Sequence, residues 1–356
     1  MGSSSRKEGT DVHRPHRRRE VCFAALFLLL TALMTVFLSN MLRPVQTSYG
    51  STWNGFLAEP EDSLDVVWLG SSFAYCDVIP ALTYESSGLT GYVMGGSEQT
   101  LSISYWYLKE VFRTQSPSAV MIEATSLFFE PYQNYTQVNV SMMPLSLNRL
   151  GAIFTAAEPE LRTELLFDLS LYHDNWKELD GSDAIRAVRP GLWDERKGFT
   201  PMAGSRVTLA TEPNVYDRPV SAEDSAATLA WLEKILALCR EHGAQAIVAV
   251  HPSYTRCTPE RYAQIGAEIA AMDPDALFYD WSASFEEIGL DPQVHLYDGG
   301  HLNQDGAAVF SAWLGRFLTD EVGLTPRPQT EENVEAWEAS AAWWRDYLEQ
   351  DQDVPG

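Results

Sequence analysis

The sequence predicts an α/β domain built on a mostly parallel sheet with helices on both faces, preceded by one transmembrane helix at the N-terminus. Short apolar runs alternate with longer segments of helical periodicity, which is the βα rhythm of a parallel sheet. Residues 21–39 carry no charge and are rich in Leu, Phe and Ala. With 356 residues, 45% of them hydrophobic, the chain can bury a large core.

The N-terminal elements follow from charge and length. Residues 1–20 form a basic stub holding six of the 25 Lys/Arg (Arg6, Lys7, Arg14, Arg17, Arg18, Arg19). The remainder carries 19 bases against 46 acids, a strongly acidic body. Residues 21–42 read as a membrane-spanning helix, because roughly 20 apolar residues cross the hydrocarbon core. A cleaved signal peptide has an apolar stretch of only about 7–15 residues and ends at a small-residue site. Ser39-Asn40-Met41-Leu42-Arg43 offers no such site, so the expectation is an uncleaved, single-pass anchor in the cell membrane. Arg17-Arg18-Arg19 places the N-terminus in the cytoplasm and the acidic body outside. Residues 43–60, polar and containing Gly, Ser and Pro, read as a tether.

The main domain is expected over 61–323. Its strands are predicted at 64–69, 91–94, 119–124, 246–250 and 277–281. Helices are predicted at 100–115, 226–242, 259–272 and 307–318, from apolar residues spaced three and four apart. Residues 127–225 break the rhythm, punctuated by Pro131, Pro144, Pro190 and Pro201. A stretch of about a hundred residues is too long for a plain connection, so it reads as a cap-like insertion, helical around 161–171. Residues 324–356 form an acidic tail, a helix whose Val334, Trp337, Ala341, Trp344 and Leu348 make a stripe that docks onto the body.

Composition excludes one partner class. A net charge of −24 argues against nucleic acid, since phosphate demands a basic surface. The four cysteines do not make a disulfide scaffold; Cys239 and Cys257 flank a predicted strand and either pair in an oxidising compartment or stay free. Asn134-Tyr135-Thr136 and Asn139-Val140-Ser141 match the glycosylation sequon.

Chemistry concentrates in two distant segments. Trp68-Leu69-Gly70-Ser71-Ser72-Phe73 follows a predicted strand and presents a hydroxyl at its C-terminal end. Tyr297-Asp298-Gly299-Gly300-His301-Leu302-Asn303 places a carboxylate three residues before an imidazole, on a loop with two glycines. A serine hydroxyl is a weak nucleophile that needs a base, and the base needs an orienting group. Ser72, His301 and Asp298 supply the three, which expects a serine hydrolase or acyltransferase with no cofactor. Ser72 also has a bland reading as a helix N-cap. His295, Asp298 and His301, three apart, offer a competing metal-ligand pattern without a partner block elsewhere. His173 and Trp176, one helical turn apart in the insertion, are either core fillers or the cap's substrate contacts. His251-Pro252 at a strand end is equally ambiguous and stays outside the expected site.

Leu69-Gly70-Ser71-Ser72, Gly95 after the second strand and Asp298-x-x-His301 together resemble the SGNH/GDSL hydrolase superfamily over about residues 64–320. Its three-layer α/β/α fold is implied. Tyr172-His173-x-x-Trp176 and Ile288-Gly-Leu-Asp291 also look like membrane-anchored bacterial envelope members, of the D-alanyl-lipoteichoic-acid-transfer and alginate O-acetyltransferase-like types. The resemblance implies Ser72 as nucleophile, His301 as base, Asp298 as its orienting group, and the N–H groups of Ser72 and Gly95 as oxyanion donors. It implies a cell-envelope glycan or teichoic-acid-like substrate, an acyl donor, and a partner membrane acyltransferase. Two positions depart from the pattern. Ser71 stands where many members have Asp, and Glu123-Ala124-Thr125-Ser126 lacks the Asn of the third block; Thr125 or Gln99 is expected to replace that donor. The alternative is a non-catalytic scaffold or partner-binding protein that keeps the fold.

Overall fold

The computed structural model describes residues 14–45, 48–50, 53–129, 133–189, 191–205, 212–216 and 222–352. Seven strands follow in chain order among them: β1 (Val66–Gly70), β2 (Gly91–Gly95), β3 (Ala119–Glu123), β4 (Asn214–Tyr216), β5 (Gln245–Val250), β6 (Thr255–Cys257) and β7 (Leu277–Asp280). Five of these form one sheet in the order β2-β1-β3-β5-β7, every neighbouring pair parallel. β4 and β6 form a separate parallel pair.

Alternation along the strands feeds two cores. Val67, Leu69, Tyr92, Met94, Val120 and Ile122 join one cluster. Val66, Trp68, Val93, Ala119, Met121 and Ile247 join the other. Successive side chains of a strand point to opposite faces, so a strand whose residues are all buried must be covered twice. Helices Leu101–Val111, Ala222–His242 and Pro259–Met272 contribute to the first cluster. Helices Ser72–Asp77, Pro80–Ser87, Gln304–Asp320 and Glu331–Gln352 contribute to the second. This is the α/β/α layering predicted from the sequence. The strand order reverses between β1 and β3, and a crevice at the C-terminal ends of such strands is where open α/β sheets take ligands.

The chain divides into two units, 1–44 with 169–189 and 45–168 with 190–356. In the smaller one, helix Arg14–Leu42 contains one stretch, 18–42, long and apolar enough to cross a membrane. Residues 1–13 of the expected basic stub lie outside the described residues, as do Pro131 and Pro190 of the insertion.

Several local expectations change. Within the expected tether, Trp53–Phe56 forms a helical turn whose Trp53 and Phe56 are buried in the core. The helix expected around 161–171 is two pieces, Arg162–Leu166 and Leu169–Tyr172. Their division coincides with the boundary between the units, so the insertion is shared between them. Cys239, Cys257 and Cys76 are all buried, and none of the three is in a disulfide. Asn139 is buried and donates to the Ser97 carbonyl at 3.0 Å, which removes it as a glycan acceptor.

The C-terminal helix docks by its aromatic stripe as predicted. Trp337 and Trp344 are fully buried, and Trp344 Nε1 donates to the Glu195 carbonyl at 3.2 Å. Lys197, itself buried, pairs with Glu59 at 2.5 Å and lies 4.7 Å from the Trp337 ring centroid. The indole thus covers a buried ion pair as well as apolar surface. Trp337→Ala is expected to cost about 3–5 kcal/mol, the range for a large aromatic removed from a core. Urea unfolding of the detergent-solubilised chain measures it; a loss below 1 kcal/mol, roughly the size of a surface change, would show that the helix is dispensable.

Candidate active site

The serine segment is shaped by a cap. Ser71, not Ser72, is the N-cap of helix Ser72–Asp77; its side chain accepts from the Phe73 N–H. Ser71 Oγ also donates to Glu123 Oε2 at 2.9 Å. Ser72 is therefore the first helical residue, with its hydroxyl left for another partner. Gly70 makes this approach to β3 geometrically possible, since a Cβ there would sit 2.6 Å from the Glu123 Cβ.

That other partner is His301. Ser72 Oγ and His301 Nε2 are 2.8 Å apart. On the far side of the ring, His301 Nδ1 lies 3.0 Å from Asp298 Oδ1 and 3.1 Å from Oδ2. With the carboxylate accepting from Nδ1–H, Nε2 carries the lone pair and Ser72 donates to it. Asp298 is fixed in turn by the backbone N–H groups of Gly300 (2.8 Å) and His301 (2.9 Å). Buried Leu296 and Leu302 pair as an isolated bridge and close the base of this loop. The Phe73 ring stacks on His301, centroids 4.5 Å apart and planes 19° apart, which restricts imidazole rotation.

Electrostatics follow from these contacts. Burial works against the His301 cation, but the Asp298 hydrogen bond and charge outweigh it and hold the histidine above its ordinary value. Burial likewise raises Asp298, yet the His301 hydrogen bond and charge, with two backbone N–H groups, win and leave it well below the usual carboxylate range. A histidine raised on folding stabilises fully below its unfolded value of about 6.5 and loses that contribution as pH rises through the folded value.

Behind this row lies a second, fully buried one. Asp77 Oδ1 accepts the Leu302 N–H at 3.1 Å, and Oδ2 lies 3.1 Å from His251 Nδ1. The same nitrogen is 3.0 Å from the Phe73 carbonyl. Burial disfavours the His251 cation, but Asp77 and Glu123 raise it above its ordinary value. Burial pushes the Glu123 carboxyl up. Sequence reasoning set His251 aside and passed over Asp77 and Glu123; a polar residue at the C-terminal end of β3 and another just past β5 was the available signal.

Of the other expected residues, Gly95 lies level with Gly70 at the end of β2. The Ser72 N–H is among the first-turn groups that a helix leaves without an intrahelical partner. Gln99 is buried, its Nε2 committed to the Met94 carbonyl (3.1 Å) and Ser104 Oγ (2.9 Å). The Thr125 N–H and hydroxyl both serve Glu123. Neither expected replacement for the missing Asn presents an uncommitted donor. His295 stands apart from Asp298 and His301, its Nδ1 accepting the Asp291 N–H at 2.8 Å. His173 and Trp176 belong to the smaller unit and are exposed; His173 Nδ1 is 2.8 Å from the Ser170 carbonyl.

No family model matches the chain, and no curated protein matches it. Among solved structures, a crystal structure from Bacteroides fragilis of a "putative acylhydrolase" is similar over 76% of this chain and 94% of that one, at 14% identity and a TM-score of 0.37. A likeness at that level leaves the chemistry of the site to the geometry above.

The buried row makes a stability prediction separate from chemistry. His251→Ala strands Asp77 without its imidazole and is expected to cost about 3–5 kcal/mol, as when one partner of a buried pair is removed. Ser72→Ala, at a half-buried hydroxyl, is expected to stay within about 1 kcal/mol. Denaturant titration of the two variants side by side reads the difference, and equal effects would refute the structural role assigned to His251.

Proposed function

We propose that this chain is a serine-dependent ester hydrolase or O-acyltransferase of SGNH type, anchored in the cell membrane and acting outside it on a cell-envelope glycan or teichoic-acid-like polymer. The single observation that carries this reading is the continuous hydrogen-bonded row from Ser72 through His301 to Asp298. The acidic body behind a basic stub and an apolar helix supports the location.

In the proposed first half-reaction, Ser72 Oγ attacks the acyl carbonyl while His301 Nε2 takes its proton. Asp298 stabilises the imidazolium that forms. The backbone N–H groups of Ser72 and Gly95 are the proposed oxyanion donors. Collapse breaks the C–O bond, and His301 returns the proton to the leaving alcohol, giving an acyl-serine. In the second half, His301 deprotonates water or an acceptor hydroxyl as its oxygen attacks the acyl carbonyl; the acyl–Ser72 Oγ bond then breaks and His301 returns the proton to Oγ, completing hydrolysis or transfer. A membrane acyltransferase that passes on the acyl group is the proposed partner.

A fluorophosphonate probe applied to the full chain should label Ser72, with labelling abolished in Ser72→Ala and turnover reduced about 10⁴-fold in Asp298→Asn. Labelling that survives Ser72→Ala would remove the serine mechanism. A chain that resists the probe and turns over no p-nitrophenyl ester would instead be a scaffold.

The pH dependence has a definite sign. His301 accepts the serine proton only when neutral, so kcat/KM should rise with pH through its folded value, which Asp298 holds above the ordinary value of about 6.5. The stability contributed by the charged His301–Asp298 pair falls over the same interval. Parallel kcat/KM and unfolding measurements between pH 5 and 9, bracketing the reference of about 6.5, should move in opposite directions; an acid limb below that reference would contradict His301 as base.

A further inference from the structure

We propose that residues 169–189 form a lipid-facing collar seated at the headgroup boundary of the bilayer that helix Arg14–Leu42 crosses. The inference rests on reading that helix as a membrane span. Residues 21–42 cover about 33 Å at 1.5 Å per residue, close to the hydrocarbon thickness of about 30 Å. With Val21 at one boundary, residues 39–43 reach the other. Along the span, 18–35 is exposed throughout, whereas Ser39 and Leu42 are buried.

What buries them is the collar. Asn175 Nδ2 donates to the Leu42 carbonyl at 3.0 Å, and Arg186 donates to the Arg43 carbonyl at 2.7 Å. Asn40 Nδ2 reaches the Ala187 carbonyl at 3.4 Å. The segment is thereby attached to the last turn of the span, at the expected level of the headgroups. Its helix Gly181–Val188 begins with a capping box formed by Asp180 and Asp183, so it is a defined element and not a loose loop. Arg186 and Ala187 of that helix are buried, while Ile185 and Val188 are 67% and 76% exposed. On the preceding turn Trp176 is 62% exposed, with Lys177 Nζ 5.8 Å from its ring centroid.

Two exposed aliphatic side chains and an exposed Trp beside a Lys, fixed where a span ends, match the chemistry of the membrane interface. There an indole takes the boundary, aliphatic chains enter the acyl region and a lysine snorkels outward. The collar carries four acids (Asp174, Glu178, Asp180, Asp183) against Lys177, Arg186 and Arg189. Attraction to anionic lipid therefore does not drive the contact; apolar insertion does, and a neutral phosphatidylcholine bilayer suffices. This assigns Trp176 to lipid and not to substrate.

The test uses the full chain with Cys22→Ser in phosphatidylcholine nanodiscs, the remaining three cysteines being buried. Single cysteines at Val188→Cys, Leu29→Cys and Glu335→Cys carry an environment-sensitive fluorophore, and the quencher is a phosphatidylcholine spin-labelled high on its acyl chain. At an insertion depth of about 5–10 Å the Val188 label should lose about half or more of its emission, as the Leu29 label does, while the Glu335 label is unchanged. A quenched Leu29 with an unquenched Val188 overturns the collar and leaves the span intact. If neither is quenched, the span itself fails and the collar with it. A Val188 label that shifts to the blue without quenching places a protein surface or a second copy there, which also overturns the proposal.

Discussion

A carboxylate with no exposure to water, at the end of the serine helix, sets the geometry of the candidate site. Asp77 reaches 225 positions along the chain to accept the N–H of Leu302, the residue after His301, and meets His251 just beyond β5. Three segments that share no local sequence relation are thereby held to one group. An isolated carboxylate in this position would be neutralised by its own desolvation. Burial still raises the Asp77 carboxyl, and the His251 and Leu302 hydrogen bonds converging on it from two of those segments pull the other way. The 2.8 Å separation of Ser72 and His301 is a consequence of this convergence as much as of either residue's own loop.

The sheet makes the convergence possible. Parallel strands end at the same edge, so β1, β3 and β5 deliver Ser71, Glu123 and His251 to one level. The reversal of strand order between β1 and β3 opens a crevice at that level. Ser71 spans it by accepting from its own helix and donating to Glu123. A larger Asp at position 71 would face the buried Glu123 carboxyl with a like charge. Serine at this position and glutamate at the end of β3 are mutually dependent choices.

Much of this was legible in the sequence because it depended on local pattern. Apolar runs with turn residues at their ends located all five strands of the main sheet, and the expected helix at 259–272 is observed over Pro259–Met272. The Ser72 and His301 segments were legible because serine chemistry requires a base and an orienting acid at recognisable spacing. The second row was not, since Asp77, Glu123 and His251 derive their meaning from partners 52 to 225 positions away. Nor did residue type disclose that Gln99 and Thr125 spend their donors on Met94, Ser104 and Glu123. Trp53 and Phe56 were hidden by the polar residues around them, and their burial emerges only from long-range packing.

The arrangement carries a tension that bears on the proposed chemistry. Asp77, Glu123 and Asp298 all favour a positive His301, which supports the imidazolium formed when Ser72 gives up its proton. The Asp298 carboxylate, held below the usual range, equally opposes an oxyanion on the acyl group, and in the proposed mechanism that charge must be met by N–H donors. A missing donor of this kind costs about 10²–10³ in rate. Gln99 and Thr125 are committed elsewhere, so the proposed mechanism assigns that charge to the backbone N–H groups of Ser72 and Gly95. In the proposed mechanism Asp298 thus eases formation of the imidazolium, while the oxyanion sets the demand for N–H donors that any substrate must meet.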